Sequence, residues 1–113
     1  MASSLVQPSR GAILRERYRS RLPGSLDELS GPTHGEVQLP LQIAWSGLTK
    51  FDLSLPRQRM SMYCTVLAEG RRDDIAEFLN KELLLAQWPV LRTLVSRAIR
   101  DVWEARFAAL ATA

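Results

Sequence analysis

Arg15, Arg17, Arg19 and Arg21 stand at every second position, with Glu16, Tyr18 and Ser20 between them, and they hold the clearest chemical potential in the chain. In an extended segment that spacing points all four guanidiniums to one side. Their planar forks of N–H donors match phosphate and carboxylate oxygens, and an interleaved tyrosine can stack on a base. Three destinations fit: open solvent, a nucleic acid, and an acidic groove on another protein. Arg15, Arg17, Tyr18, Arg19 and Arg21 are therefore the candidate contacts for a protein or nucleic-acid partner. Charge is distributed accordingly. The formal net charge is +3, but residues 1–25 hold five arginines against Glu16 alone, leaving ten basic and eleven acidic side chains for the rest. A basic arm on a nearly neutral body calls for an acidic partner at the arm.

Other reactive residue types have ordinary structural explanations. His34 lies in the loop Gly31-Pro-Thr-His-Gly35, where a histidine can act as acid or base, yet no cysteine or signature serine accompanies it. Asp73, Asp74 and Glu77 resemble a ligand set, but at the start of a helix carboxylates cap free amides. One cysteine, Cys64, and one histidine cannot build a zinc site of the usual kind or an intrachain disulfide. The chain has no Gly-x-Ser-x-Gly, no phosphate-binding Gly-x-x-x-x-Gly-Lys and no His-Glu-x-x-His. No catalytic, cofactor-binding or metal-binding residue is assigned, no cofactor is expected, and the protein is read as not being an enzyme.

The elements that must hold the contact residues follow from periodicity. At 113 residues, with 46% hydrophobic and 24% charged residues, the chain fits one folded unit with a modest core. Val37, Leu39, Leu41, Ile43 and Trp45 alternate with Gln38, Pro40, Gln42 and Ala44, which predicts a strand over 37–45. A second strand is expected over 51–55, where Phe51, Leu53 and Leu55 alternate, so the two make a β-hairpin. Pro40 has no amide proton and belongs at a sheet edge. Gln38, Pro40 and Gln42 therefore form a candidate partner edge, open to a strand from another chain.

Helical spacing then predicts three principal helices, at about 56–69, 73–87 and 89–110, with Pro56 opening the first, Gly70 closing it and Pro89 starting the last. Asn80 is a candidate kink. Its connection to Leu83 is too short for a helix-turn-helix. Ser25 and Glu28 have the spacing of a capping box before one helical turn. Residues 1–24 are expected to be a basic arm, partly disordered or a short helix over 10–21, and residues 25–113 a single small α+β domain whose three helices pack on the hairpin's apolar face. Trp45, Trp88 and Trp103 sit in apolar patterns, as core residues or as anchors for a partner. No run is long enough to cross a bilayer and no secretion signal is visible, so a cytoplasmic location is expected.

The segments Leu29-Ser-Gly-Pro, Val37-Gln-Leu-Pro-Leu, Ala44-Trp-Ser-Gly, Phe51-Asp-Leu, Met62-Tyr, Phe78-Leu-Asn and Val102-Trp-Glu-Ala-Arg-Phe resemble a family of small actinobacterial proteins. Those are uncharacterised or loosely labelled transcriptional regulators, some encoded beside nucleotidyltransferase toxins of the abortive-infection class. The resemblance spans roughly residues 25–110 and its motifs are structural. It implies an antitoxin-like or regulatory partner role and transfers no catalytic residue. Two functions are carried forward. The first is a non-catalytic protein-interaction module, with a toxin encoded nearby as a candidate partner; the second is a DNA-binding transcriptional regulator using the arginine-rich arm. Pairing into a homodimer is compatible with either.

Overall fold

The computed structural model describes residues 9–44 and 48–111. Within them the chain is α+β: a two-stranded antiparallel hairpin and six α-helices. Strand β1 is Glu36–Gln38 and β2 is Lys50–Asp52, with Val37 opposite Phe51. The Leu39 amide adds a bond to the Thr49 carbonyl at 2.8 Å, and the Leu53 amide one to Gly35 at 2.9 Å. Because residues 35, 37 and 39 face β2, the backbone groups of Glu36, Gln38 and Pro40 point to the outer edge. Gly35 enters β1 with φ of 87°, in the left-handed region that glycine adopts most easily.

The first strand is shorter than the 37–45 expected from alternation. The chain turns at Pro40, whose carbonyl accepts the amides of Ile43 and Ala44 at 3.0 and 3.1 Å, and so leaves the ladder. That turn carries Leu41 into solvent, 72% exposed, while Ile43 and Ala44 return to the core. Trp45 lies outside the described residues. The second strand, expected over 51–55, also stops early. Asp52 Oδ1 accepts the Ser54 amide at 2.9 Å and its hydroxyl at 2.7 Å, which turns the chain and leaves Leu55 exposed.

Helix α1 is Arg10–Arg19, with Ser9 Oγ accepting the Ala12 amide at 3.0 Å. Its arginines therefore radiate around a helix instead of lining one side of an extended strip. α1 packs against α5, and Leu22 and Pro23 just beyond it are buried. A 3-10 turn at Leu26–Glu28 follows, capped by the Ser25 hydroxyl. Helix α2 is Pro56–Glu69, the bounds its sequence predicts.

The long helices expected at 73–87 and 89–110 are each divided. α3 is Arg72–Phe78 and α4 is Lys81–Leu94, separated where Asn80 Oδ1 caps the Leu83 amide at 3.1 Å. α5 is Arg97–Arg106, set off from α4 where Ser96 Oγ caps the Ile99 amide at 3.3 Å, and α6 is Ala108–Ala111. In both cases a short polar side chain satisfies amides that a continuous helix would have bonded internally. Pro89 does not start a helix; it lies inside α4. Its missing N–H frees the Leu85 carbonyl, and Pro89 and Val90 sit on the solvent side, where water can take the vacated place.

The hairpin packs through β2 on α2, α2 on α3 and α4, and α5 on α6. Trp88 and Trp103 are core residues, 0% and 1% exposed, with ring centroids 6.5 Å apart; Phe107 continues the row 5.5 Å from Trp103. The Trp88 indole N–H donates to Glu104 Oε2 at 2.9 Å, and Arg92 Nε donates to the same oxygen at 2.7 Å. The Arg92 guanidinium, more than any other neighbour, holds the Glu104 carboxyl below its usual range.

At the joint between α3 and α4, the Asn80 amide donates to the buried Tyr63 hydroxyl at 2.9 Å. Burial pushes that phenol up to about 12. An unfolded tyrosine titrates near 10, so this contribution is intact below pH 10 and is lost as pH rises through 12, about 2–3 kcal/mol in all. Tyr63→Phe should abolish this alkaline loss while stranding the Asn80 amide, costing about 1–3 kcal/mol near neutrality. Urea melts of both proteins at neutral and strongly alkaline pH measure the two effects; parallel pH profiles would show that Tyr63 is not the titrating group.

Candidate partner-binding groove

The turn after β1, the end of α2 and the junction of α4 with α5 enclose an open groove of about 520 Å³. Ile43, Phe51 and Ile99 form its apolar floor, and Cys64 and Ala68 on α2 form one wall. Its rim holds Leu48 and Leu94, each 57% exposed, and Tyr18 from α1 reaches into it. Leu94 ends α4 just before the Ser96 cap, so the helix break turns it outward. Burying one leucine-sized side chain in such a groove is worth about 1.5–3 kcal/mol.

Beside this groove lies a polar cavity, also about 520 Å³, lined by Arg21, Gln42, Glu69, Arg71, Asp73 and Asp74. Glu69 lines both spaces. The helical arm and the segment after β1, far apart in sequence, thus meet twice: Tyr18 with Ile43 in one space, Arg21 with Gln42 in the other. The Arg21 guanidinium carbon stands 5.8 Å from the centre of the Tyr18 ring, a cation–π arrangement, and its NH1 donates to the Ala68 carbonyl at 3.4 Å.

The remaining candidate residues lie elsewhere. Arg15 packs toward α5, donating to Asp101 Oδ2 through Nε at 3.3 Å and NH2 at 3.0 Å. Arg17 is exposed on α1, and Arg19 pairs with Glu16 one turn earlier. Gln38 is exposed beside β2, giving its amide to Thr49 Oγ1 at 3.1 Å. Pro40 is half-buried at the turn that ends the β1 edge. Only Tyr18, Arg21 and Gln42 of the sequence candidates therefore face the groove and its neighbouring cavity.

The chemistry available there is contact and charge. Burial raises the Cys64 thiol above its ordinary value, so it presents S–H at neutral pH. His34 is distant in kind: an exposed loop residue whose Nδ1 lies 3.1 Å from Thr33 Oγ1. Asp74 accepts the Arg71 amide at 3.0 Å, the helix-opening role that the sequence predicts for a carboxylate there. Among the described residues no cluster of three or more His, Cys, Asp or Glu side chains could hold a metal ion, and no helix is long and apolar enough to cross a membrane. Sequence reading missed Leu48 and Leu94. Leu94 keeps the helical spacing of a single helix over 89–110, and Ser96 is the signal that the helix breaks there. No protein-family model, curated protein or solved structure matches the chain.

Proposed function

We propose that this chain is a non-catalytic interaction module that seats an apolar side chain of a protein partner in the groove rimmed by Leu48 and Leu94. The observation that carries this reading is the convergence of arm and hairpin: Tyr18 and Ile43 line the groove, and Arg21 and Gln42 line the cavity beside it. An apolar slot flanked by Arg21 and Glu69 suits an amphipathic segment that brings one large aliphatic or aromatic anchor and charges of both signs. Following the family resemblance, the partner is the product of a neighbouring gene, a nucleotidyltransferase toxin, and the role is antitoxin-like.

Leu94→Asp tests this directly, because Leu94 is exposed and its replacement leaves the core intact. The variant should melt like the wild type yet bind the neighbouring gene product about tenfold or more weakly, as removal of an interface anchor does. Calorimetry or co-purification of the two chains measures it. A wild-type chain that ignores that product, or a folded variant that binds it equally, would overturn the reading.

The DNA-binding regulator remains the second reading, supported by Arg10 and Arg17, which are exposed on α1. Binding of that kind weakens steeply with salt.

A further inference from the structure

Three arginines from three separate helices line one cleft of about 360 Å³: Arg19 in the last turn of α1, Arg72 opening α3, and Arg106 closing α5. Leu22 and Val102 give it an apolar wall, and no carboxylate lines it. It shares no lining residue with the partner groove.

The present partners of these arginines are easily exchanged. Arg19 meets Glu16 on its own helix, and Arg72 meets Glu28 at 3.5 Å; all four side chains are substantially exposed. Arg106 has a long bond of 3.5 Å to the Gly24 carbonyl. Exposed pairs of this kind stabilise little, whereas like charges converging in a cleft with apolar walls concentrate a positive potential. Each guanidinium carries five N–H donors, more than these contacts use.

We propose that this cleft binds a phosphate group bearing two or more negative charges, clasped by Arg19, Arg72 and Arg106. Three forks arriving from three directions need more acceptor oxygens than one carboxylate presents, and a terminal phosphate or pyrophosphate supplies them. Glu16 and Glu28 release their arginines as the anion enters. No aromatic side chain lines the cleft, so it grips phosphate and leaves any attached base unread. Only Arg19 comes from the alternating arginine run; Arg72 and Arg106 reach the same point through the fold.

Calorimetric titration with inorganic pyrophosphate, and separately with a short DNA duplex bearing 5′-terminal phosphates, tests the site and distinguishes a free phosphate ligand from a nucleic-acid one. Wild type should bind at least one probe, and Arg72→Gln and Arg106→Gln should each weaken it about tenfold or more. Arg57→Gln, on an exposed arginine at the start of α2 outside the cleft, should bind as wild type does. Loss confined to pyrophosphate assigns a free ligand; the same loss with the duplex assigns nucleic acid. Should Arg106→Gln fail to melt cooperatively, Arg72→Gln decides the matter alone, since Arg72 is more than half exposed. Failure of wild type to bind either probe, or binding unchanged in folded cleft variants, overturns the proposal.

Discussion

Trp88→Ala should destabilise the protein by about 3–5 kcal/mol, the range for deleting a buried aromatic, and so consume much of the margin expected for a domain of this size. Trp88 is fully buried and packs 6.5 Å from Trp103 at a tilt of 41°. Its loss opens a large cavity between α4 and α5 and removes the indole donor that Glu104 shares with Arg92. Trp88→Phe separates the two effects. It keeps most of the apolar volume and deletes the N–H, so it should cost about 1–2 kcal/mol. Urea unfolding of both variants followed by circular dichroism provides the measurement. Equal costs would place the stabilisation in the hydrogen bond instead of the packing.

Gly31→Ala should cost about 3 kcal/mol, near the top of the range for overpacking, although it adds a single methyl group. A Cβ there would lie 2.4 Å from both the carbonyl carbon and the oxygen of Phe78, and 2.7 Å from the Leu79 oxygen. These are backbone atoms at the end of α3 and cannot swing aside. The approach is held by short bonds, Gly31 amide to the Leu79 carbonyl and Ser30 amide to the Ala76 carbonyl, both at 2.8 Å. Gly35→Ala is the matched control. Its Cβ would meet nothing within 4 Å, so only the positive φ is penalised, about 1–2 kcal/mol. If thermal melts gave Gly35→Ala the larger effect, the backbone around Gly31 would be able to give way to a methyl group.

At the joint that excludes a methyl at Gly31, periodicity predicts a single helix, and Asn80, a candidate kink in the sequence, marks a full break. Ile75, Phe78, Leu79, Leu83 and Leu84 keep helical spacing across the break, so periodicity alone reads through it. What divides the run is local: the Asn80 side chain offers Leu83 a bond, its amide goes to Tyr63, and the Ser30–Gly31 strap occupies the Ala76 and Leu79 carbonyls. Of these, Asn80 alone was legible nearby in sequence. Pro56–Glu69 was fully legible because proline and glycine mark its two ends and no polar cap interrupts it.

The strands show the opposite limit. Alternation from Val37 onward is real, but a proline whose carbonyl accepts two later amides turns the ribbon after three residues. Leu41 then faces water despite fitting the pattern. The groove was legible only in pieces. Tyr18, Arg21 and Gln42 were each singled out, yet nothing in their spacing tells that α1 lies beside the turn after β1. The arginine cleft was less visible still, since residues 19, 72 and 106 share no motif.

The outer side of β1 has a further consequence for the protein in crowded or concentrated conditions. Only Glu36 and Gln38 present outward pairs of donor and acceptor, and the next position, Pro40, has an acceptor without a donor. A strand laid alongside finds scarcely one repeat of docking points before the template curls away. Molecule-to-molecule stacking of the kind that seeds fibrils is starved at its first step, so the hairpin keeps an open flank without becoming a nucleus for aggregation.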